Sequence, residues 1–261
     1  MPKPTFLNLP DEKRLRITEL AIDEFSTYPY RQASLSRIVS RAGIAKGSMY
    51  QYFDNKLDLY HWLLVDELPR RREAWQAGRE GQVGRGGLFE TVEQRALAAV
   101  GFLLAHPRLA RLATTAMEPT TDAELRPLHE ELRREELSGL TQAIRDAQGR
   151  GEVREELDAD ALAHMIEALV LRGIPEAVLA HTRLDVHELI AEPTRGQQVD
   201  EESWRSLVRQ SLDLIRSGIT AASVGDDEAG APLGWSSPAK TPAPAPAPAP
   251  EVSPVPEAAP R

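Results

Sequence analysis

Residues 34–56 read SLSRIVSRAGIAKGSMYQYFDNK, and the second half of that run gathers side chains suited to holding a polyanion. Lys46, Gly47, Ser48, Tyr50, Gln51 and Tyr52 supply an ammonium, a hydroxyl, an amide and two phenols, with no carboxylate among them. A helix that enters the major groove of a nucleic-acid duplex needs slim residues near its start, donors that reach phosphate oxygens, and nothing anionic. The elements that position these groups follow from spacing. Ser34 is placed to cap a short helix with Leu35, Ile38, Val39 and Ala42 at i, i+3, i+4 and i+7. Gly43 falls where a left-handed cap belongs, and a second short helix runs from about Ala45 to Phe53. Leu35, Ile38, Val39, Ile44, Met49 and Phe53 pack the pair together, which leaves the polar set on or near the exposed side.

Around that pair nearly everything from Asp11 to about Ala222 reads as helix, with no sustained period-2 alternation. A first helix spans about Pro10 or Asp11 to Phe25, with Leu15, in part Thr18, Ala21, Ile22 and Phe25 forming one stripe. Asp54-Asn55 caps a longer one that starts at Lys56 and carries Leu57, Tyr60, Leu63, Leu64 and Leu68 along one side, with Pro69 expected to kink or interrupt it. Five glycines between Gly78 and Gly87 predict a loop. Further helices are expected over Leu88–His106, Pro107–Met117, Asp122–Gln148, Asp158–His181 and Glu201–Ile219. Beyond about Val224 the chain turns acidic and then alternates Pro and Ala, a composition that predicts an extended, disordered tail.

Charge sharpens the picture. The 261 residues carry 31 Lys+Arg against 40 Asp+Glu, a net of −9. Residues 1–60 alone are net +2, and 31–56 are net +4 through Arg31, Arg37, Arg41, Lys46 and Lys56 against Asp54. A small basic island thus sits on an acidic body.

At this point the residues resemble a known family, the TetR-type (TetR/AcrR) transcriptional regulators. The resemblance is carried over residues 11–60 by Phe25, Tyr30, Ser34-Leu35, Ala42-Gly43-Ile44, Lys46-Gly47-Ser48, Tyr50-Gln51-Tyr52-Phe53 and Lys56, in the family's order. Two departures are Pro29, where the family usually has glycine, and Ala33, where it often has threonine. The resemblance implies an all-α protein with an N-terminal three-helix DNA-binding domain (1–57) and a helical ligand-binding and dimerisation domain (58–222), followed by the Pro/Ala tail (223–261). It implies phosphate contacts from Ser34, Tyr50, Tyr52 and Lys56, and groove contacts from Lys46, Gly47, Ser48 and Gln51, with Ser36 taken as a further DNA-binding residue. Other readings of the same residues stay open: Ser34 as a plain cap, Lys56 as a solvated lysine, Tyr50 and Tyr52 as half-buried core. It further implies a homodimer on a palindromic double-stranded DNA operator, a small-molecule effector, and repression. Leu162, Met165, Ile166, Leu169 and Val170, with Leu207, Val208, Leu212 and Ile215, are the expected dimer stripe; an ordinary intramolecular core has the same pattern.

Other chemistry fades. With no cysteine, thiolate metal sites and cysteine nucleophiles are excluded, and the six histidines are scattered without metal-ligand spacing. No catalytic cluster is visible in 88–220, so no enzyme, cofactor or metal is expected. GQVGRGG (81–87) lacks the Lys-Ser/Thr of a P-loop. Glu118, Glu167 and Arg172 are polar candidates for a pocket, although no spacing selects them. Met1 to Pro10 has no signal-peptide core and no run reaches membrane-spanning length, so a cytoplasmic protein is expected. Two alternatives remain at this stage: a DNA-binding interaction hub acting through its tail, and a helical small-molecule-binding protein in which the helix-turn-helix is only structural.

Overall fold

A computed structural model describes residues 1–78 and 87–220, apart from the side chain of Lys46. The glycine-rich loop and the Pro/Ala tail read from the sequence fall outside the described residues. Within them every regular element is a helix, and the only strand-like pairing is the isolated bridge between Val153 and Thr220.

The chain opens with a one-turn helix, α1 (Pro4–Leu7), followed by α2 (Asp11–Thr27), α3 (Leu35–Ala42) and α4 (Lys46–Tyr52). Gly43 does adopt the left-handed conformation (φ 68°, ψ 32°), and Ile44 N–H returns to Val39 C=O at 3.2 Å to close the turn. Asn55 caps α5 (Lys56–Trp62) by accepting from Asp58 N–H at 2.9 Å. Just before Pro69 the α-helix is interrupted by a π-turn (Leu63–Glu67) that leads into α6 (Leu68–Ala77). Proline has no N–H to give, and the wider turn, closed by Leu68 N–H to Leu63 C=O, admits the ring. The same device recurs later: α10 (Ala159–Ala168) continues through a π-turn (Leu169–Gly173) into α11 (Ile174–Thr182), with Pro175 just beyond it.

Between these lie α7 (Leu88–Ala105), α8 (Pro107–Met117) and α9 (Arg126–Gly149); after them come α12 (Val186–Ala191), α13 (Thr194–Gln197) and α14 (Glu201–Ile219). The short α12 and α13 have too few turns to leave a periodic signature. Asp122, expected to open α9, instead sits in a turn where its carboxylate accepts Glu124 N–H at 3.0 Å. Two apolar clusters result. One joins α1–α5 to Phe102, Leu109, Leu112, Leu125 and Leu128, so the core beneath the N-terminal helices is shared with α7–α9. The other fills the remainder, from Leu88 to Ile219.

Candidate nucleic-acid interface

The paired helices α3 and α4 rest on α2 through Ile38, Val39, Ala42, Met49 and Phe53, all buried with Ile17, Ala21, Ile22 and Phe25. Met49 and Phe53 lie four apart on one face. The opposite face of α4 presents Gly47, Tyr50 and Gln51 to solvent, with Ser48 half-buried beside them. Tyr50 is 52% exposed. Gly47 has helical backbone geometry, and a Cβ built on it meets no atom within 4 Å. Neither strain nor packing within the chain therefore demands glycine there, although glycine weakens a helix by roughly 0.5–1 kcal/mol relative to alanine. Ser36 on α3 is exposed. Ser34 is half-buried, and its hydroxyl makes no cap bond.

Two expected contacts look different in the structure. Tyr52 is only 5% exposed and its ring packs 5.8 Å from Phe6, so it belongs to the core rather than to the exposed side. Its spacing of three from Met49 puts it on the buried face. Lys56 does not stand free in solvent: its ammonium donates to Tyr30 C=O at 2.7 Å and Ala33 C=O at 3.2 Å, and lies 4.2 Å from the Tyr30 ring centroid. The lysine thereby ties α5 to the loop that leads into α3.

The basic island is also less bare than its sequence count. Arg37 bonds the buried Glu24 carboxylate, Arg41 Nη1 lies 2.6 Å from Asp23 Oδ2, and Arg31 Nε lies 2.8 Å from Asp122 Oδ2. Each partner lies outside the 31–56 window. For Arg37 the hydrogen bond to Glu24 raises the pKa further above the ordinary guanidinium value.

Residues 1–10, which carry no readable periodicity, turn out to clasp α4. A helix leaves its last four carbonyls without intrahelical donors. Here Met49 C=O accepts from Phe53 N–H (2.9 Å), Tyr50 C=O from Lys3 Nζ (2.9 Å), Gln51 C=O from the Thr5 hydroxyl, and Tyr52 C=O from Lys3 N–H (2.8 Å). Lys3 Nζ also meets Asp54 at 2.7 Å, and the hydrogen bond and charge of that lysine hold the Asp54 carboxyl below its usual range. Phe6, fully buried, anchors the segment against Phe53 and Trp62 with ring centroids 4.9 and 5.2 Å away. The Lys3→Met/Thr5→Val double variant is expected to speed amide exchange in α4 by roughly thirtyfold, two side-chain hydrogen bonds lost at about 1 kcal/mol each, with the Phe6 anchor intact. Unchanged exchange in α4 would show that the clasp holds nothing.

Comparison with known proteins supports the family resemblance. Residues 17–62, which contain α3, α4 and their turn, match the family model described as bacterial regulatory proteins, tetR family. The segment that carries the helix pair is thus of the TetR type. An HTH-type transcriptional regulator of Bacillus subtilis, YdgC, is 27% identical over 178 residues, covering 63% of this chain and 85% of that protein. An HTH-type transcriptional repressor of Streptomyces coelicolor is 28% identical over 163 residues, covering 61% and 77%. The crystal structure of a TetR family regulator from Chloroflexus aurantiacus superposes with a TM-score of 0.69 at 27% identity, over 85% of this chain and all of that one. This TetR-type protein is thus a DNA-binding transcriptional regulator, and its relatives are regulators rather than enzymes. Among the described residues no helix is long and apolar enough to cross a membrane, and no three acidic or histidine side chains are grouped to hold a metal ion.

Proposed function

We propose that this regulator binds a palindromic double-stranded DNA operator as a homodimer, represses from it, and releases it on binding a small molecule. In this reading residues 1–57 bind DNA, 58–222 carry the effector site and the dimer face, and 223–261 form a tail. Gly47 carries the argument: nothing inside the chain needs a glycine on the exposed face of α4, whereas a duplex approaching that backbone does. Beside it Lys46, Ser48 and Gln51 read base edges, while Ser34, Ser36 and Tyr50 hold phosphates. Lys56 acts by fixing the loop before α3 and by its charge near the strand. Repression is supported by the name of the Streptomyces relative, a transcriptional repressor.

Selection of bound fragments from random DNA tests the reading. It is expected to enrich a palindrome with half-sites about one helical turn, ~34 Å, apart. Gly47→Ala is expected to leave the fold as stable or up to about 1 kcal/mol more stable, yet to weaken binding to the selected site at least ~10-fold, about 1.4 kcal/mol. No enriched palindrome, or full affinity in Gly47→Ala, would overturn the assignment.

A further inference from the structure

A polar ridge runs along α2 beside the face that the core uses. Ile17, Ala21, Ile22 and Phe25 enter the shared apolar cluster, while Glu19, Asp23 and Ser26 follow one another at i, i+4 and i+7. Three arginines from α6 and α8 meet that ridge in order. Arg71 lies 2.5 Å from Glu19, and Arg108 lies 3.8 Å from Glu19 and 3.5 Å from Asp23. Arg111, one turn further along α8, donates from Nε to Ser26 C=O at 3.0 Å. Arg71 is itself held by the buried Glu67, Nε to Oε1 at 2.7 Å.

At Asp23 this ladder reaches the helix pair. Its Oδ1 faces Arg108 of α8, and its Oδ2 faces Arg41, in the last turn of α3, at 2.6 Å. Arg16, two turns earlier on α2, donates to Arg41 C=O at 3.1 Å and holds the same end of α3. The path Glu67–Arg71–Glu19–Arg108–Asp23–Arg41 therefore runs unbroken from the π-turn before α6 to the end of α3. An isolated pair at such exposure contributes little to stability, but a network in one geometry has direction. Apolar burial has none: it holds α2 against its neighbours without fixing the angle at which the helix rolls on them. Contacts spread over seven residues, about 10 Å of helix, do fix that angle.

We propose that Glu19 and Asp23 set the distance between DNA half-sites that the dimer accepts, a role that rests on the dimeric, operator-binding reading above. They are positioning residues: they touch no base or phosphate, but fix the roll of α2 and so the direction in which α3 and α4 face. Two helix pairs read two half-sites, and a roll of α2 in each protomer moves both pairs at once. Base pairs rise ~3.4 Å along the duplex, so a displacement of that size equals one base pair of spacing. Cutting the link between Asp23 and Arg108 frees the roll while leaving the α4 surface and the apolar core in place.

One test needs neither DNA nor a dimer. The chain has no cysteine, so Ser40→Cys on α3 and Ser138→Cys on α9, both exposed, can carry a pair of spin labels in full chain diluted with unlabelled protein. Dipolar distance measurement is expected to give one narrow distribution in this background. Asp23→Ala or Arg108→Met is expected to broaden or displace it by roughly one base-pair rise, ~3.4 Å. Both replacements are good helix formers, and circular dichroism is expected to show an unchanged fold. Asp23→Glu, which keeps the charge, is expected to restore the narrow distribution. A second test uses the selected operator and versions with one base pair added to or removed from its centre. The wild type is expected to prefer the selected spacing by about tenfold or more, each variant by less than about threefold, and the double variant to match the singles because all break one link. Added salt is expected to lower the wild-type ratio alone, since counterion release is common to both operators and cancels. Folded variants with an unmoved distance and an unmoved spacing ratio overturn the proposal. So does an effect of Asp23→Ala that Arg108→Met does not reproduce, which would confine Asp23 to α3. No enriched palindrome overturns the operator reading and the spacing role with it, whereas the distance measurement decides separately whether the ridge fixes α2.

Discussion

Glu24→Leu is expected to lower the stability of the fold by on the order of 3 kcal/mol and to abolish operator binding. The carboxylate is 1% exposed at the C-terminal end of α2 and bonds three donors on the other side of the helix pair's entry. It accepts Ser34 N–H at 2.7 Å, Arg37 Nε at 2.9 Å and Arg37 Nη2 at 2.5 Å. Arg37 in turn donates to Gln32 C=O at 2.7 Å and lies 4.2 Å from the Tyr28 ring centroid. One acid therefore does what the Ser34 hydroxyl does not, organising the loop and the start of α3. Leucine fills the volume but orphans the Ser34 amide and releases the arginine. Because Arg37 is half-exposed, water solvates its freed guanidinium, which holds the cost at the lower end for breaking a buried ion pair. Urea unfolding measures the loss. The Glu24→Leu/Arg37→Met double variant should recover part of it, as expected of residues in one network. A loss below about 1 kcal/mol would mean that packing alone holds α3 in place.

That pair also marks where the sequence stops being legible. Leu35, Ile38, Val39 and Ala42 announce α3, and Gly43 its turn, because helix period and left-handed caps are local properties. Asn55 and Asp158 are readable as caps for the same reason. Ion pairing is not local. The positive count over 31–56 treats Arg31, Arg37 and Arg41 as bare charge, whereas Glu24, Asp23 and Asp122 reach them from α2 and from the turn before α9. The DNA-facing field is therefore carried more by where charges sit than by the +4 of the window.

Short elements fail for a related reason. Four residues of α1 cannot show a period, and the clue to its docking is the single apolar side chain of Phe6 among Pro, Lys and Thr. Tyr52 was decidable from the sequence: three residues after Met49 and one before Phe53, it shares their face, while Tyr50 does not. Lys56 was not decidable, since a flexible four-carbon stem reaches either a phosphate or the Tyr30 and Ala33 carbonyls from the same backbone position.

The apolar stripe read for the dimer splits in the structure, and the split makes the dimer testable. Leu162, Ile166, Val170 and Val208 are at most 6% exposed and belong to the chain's own core. Met165 and Leu169 remain 64% and 37% exposed, with Ala161 and Ala168 open beside them, and Leu214 on α14 is 79% exposed. Small and apolar residues left uncovered on long helices are what a second copy would bury. The Met165→Arg/Leu214→Arg double variant is accordingly expected to run as a monomer in analytical ultracentrifugation, with an undiminished thermal transition at low protein concentration. Its affinity for a two-half-site operator should fall by roughly 10²–10⁴, the avidity lost when two linked half-sites are read separately. Ile166→Ala supplies the contrast: it acts on the core, costs about 2–5 kcal/mol of stability, and leaves the folded fraction dimeric. A double arginine variant that stays dimeric and keeps its operator affinity would place the partner on another face.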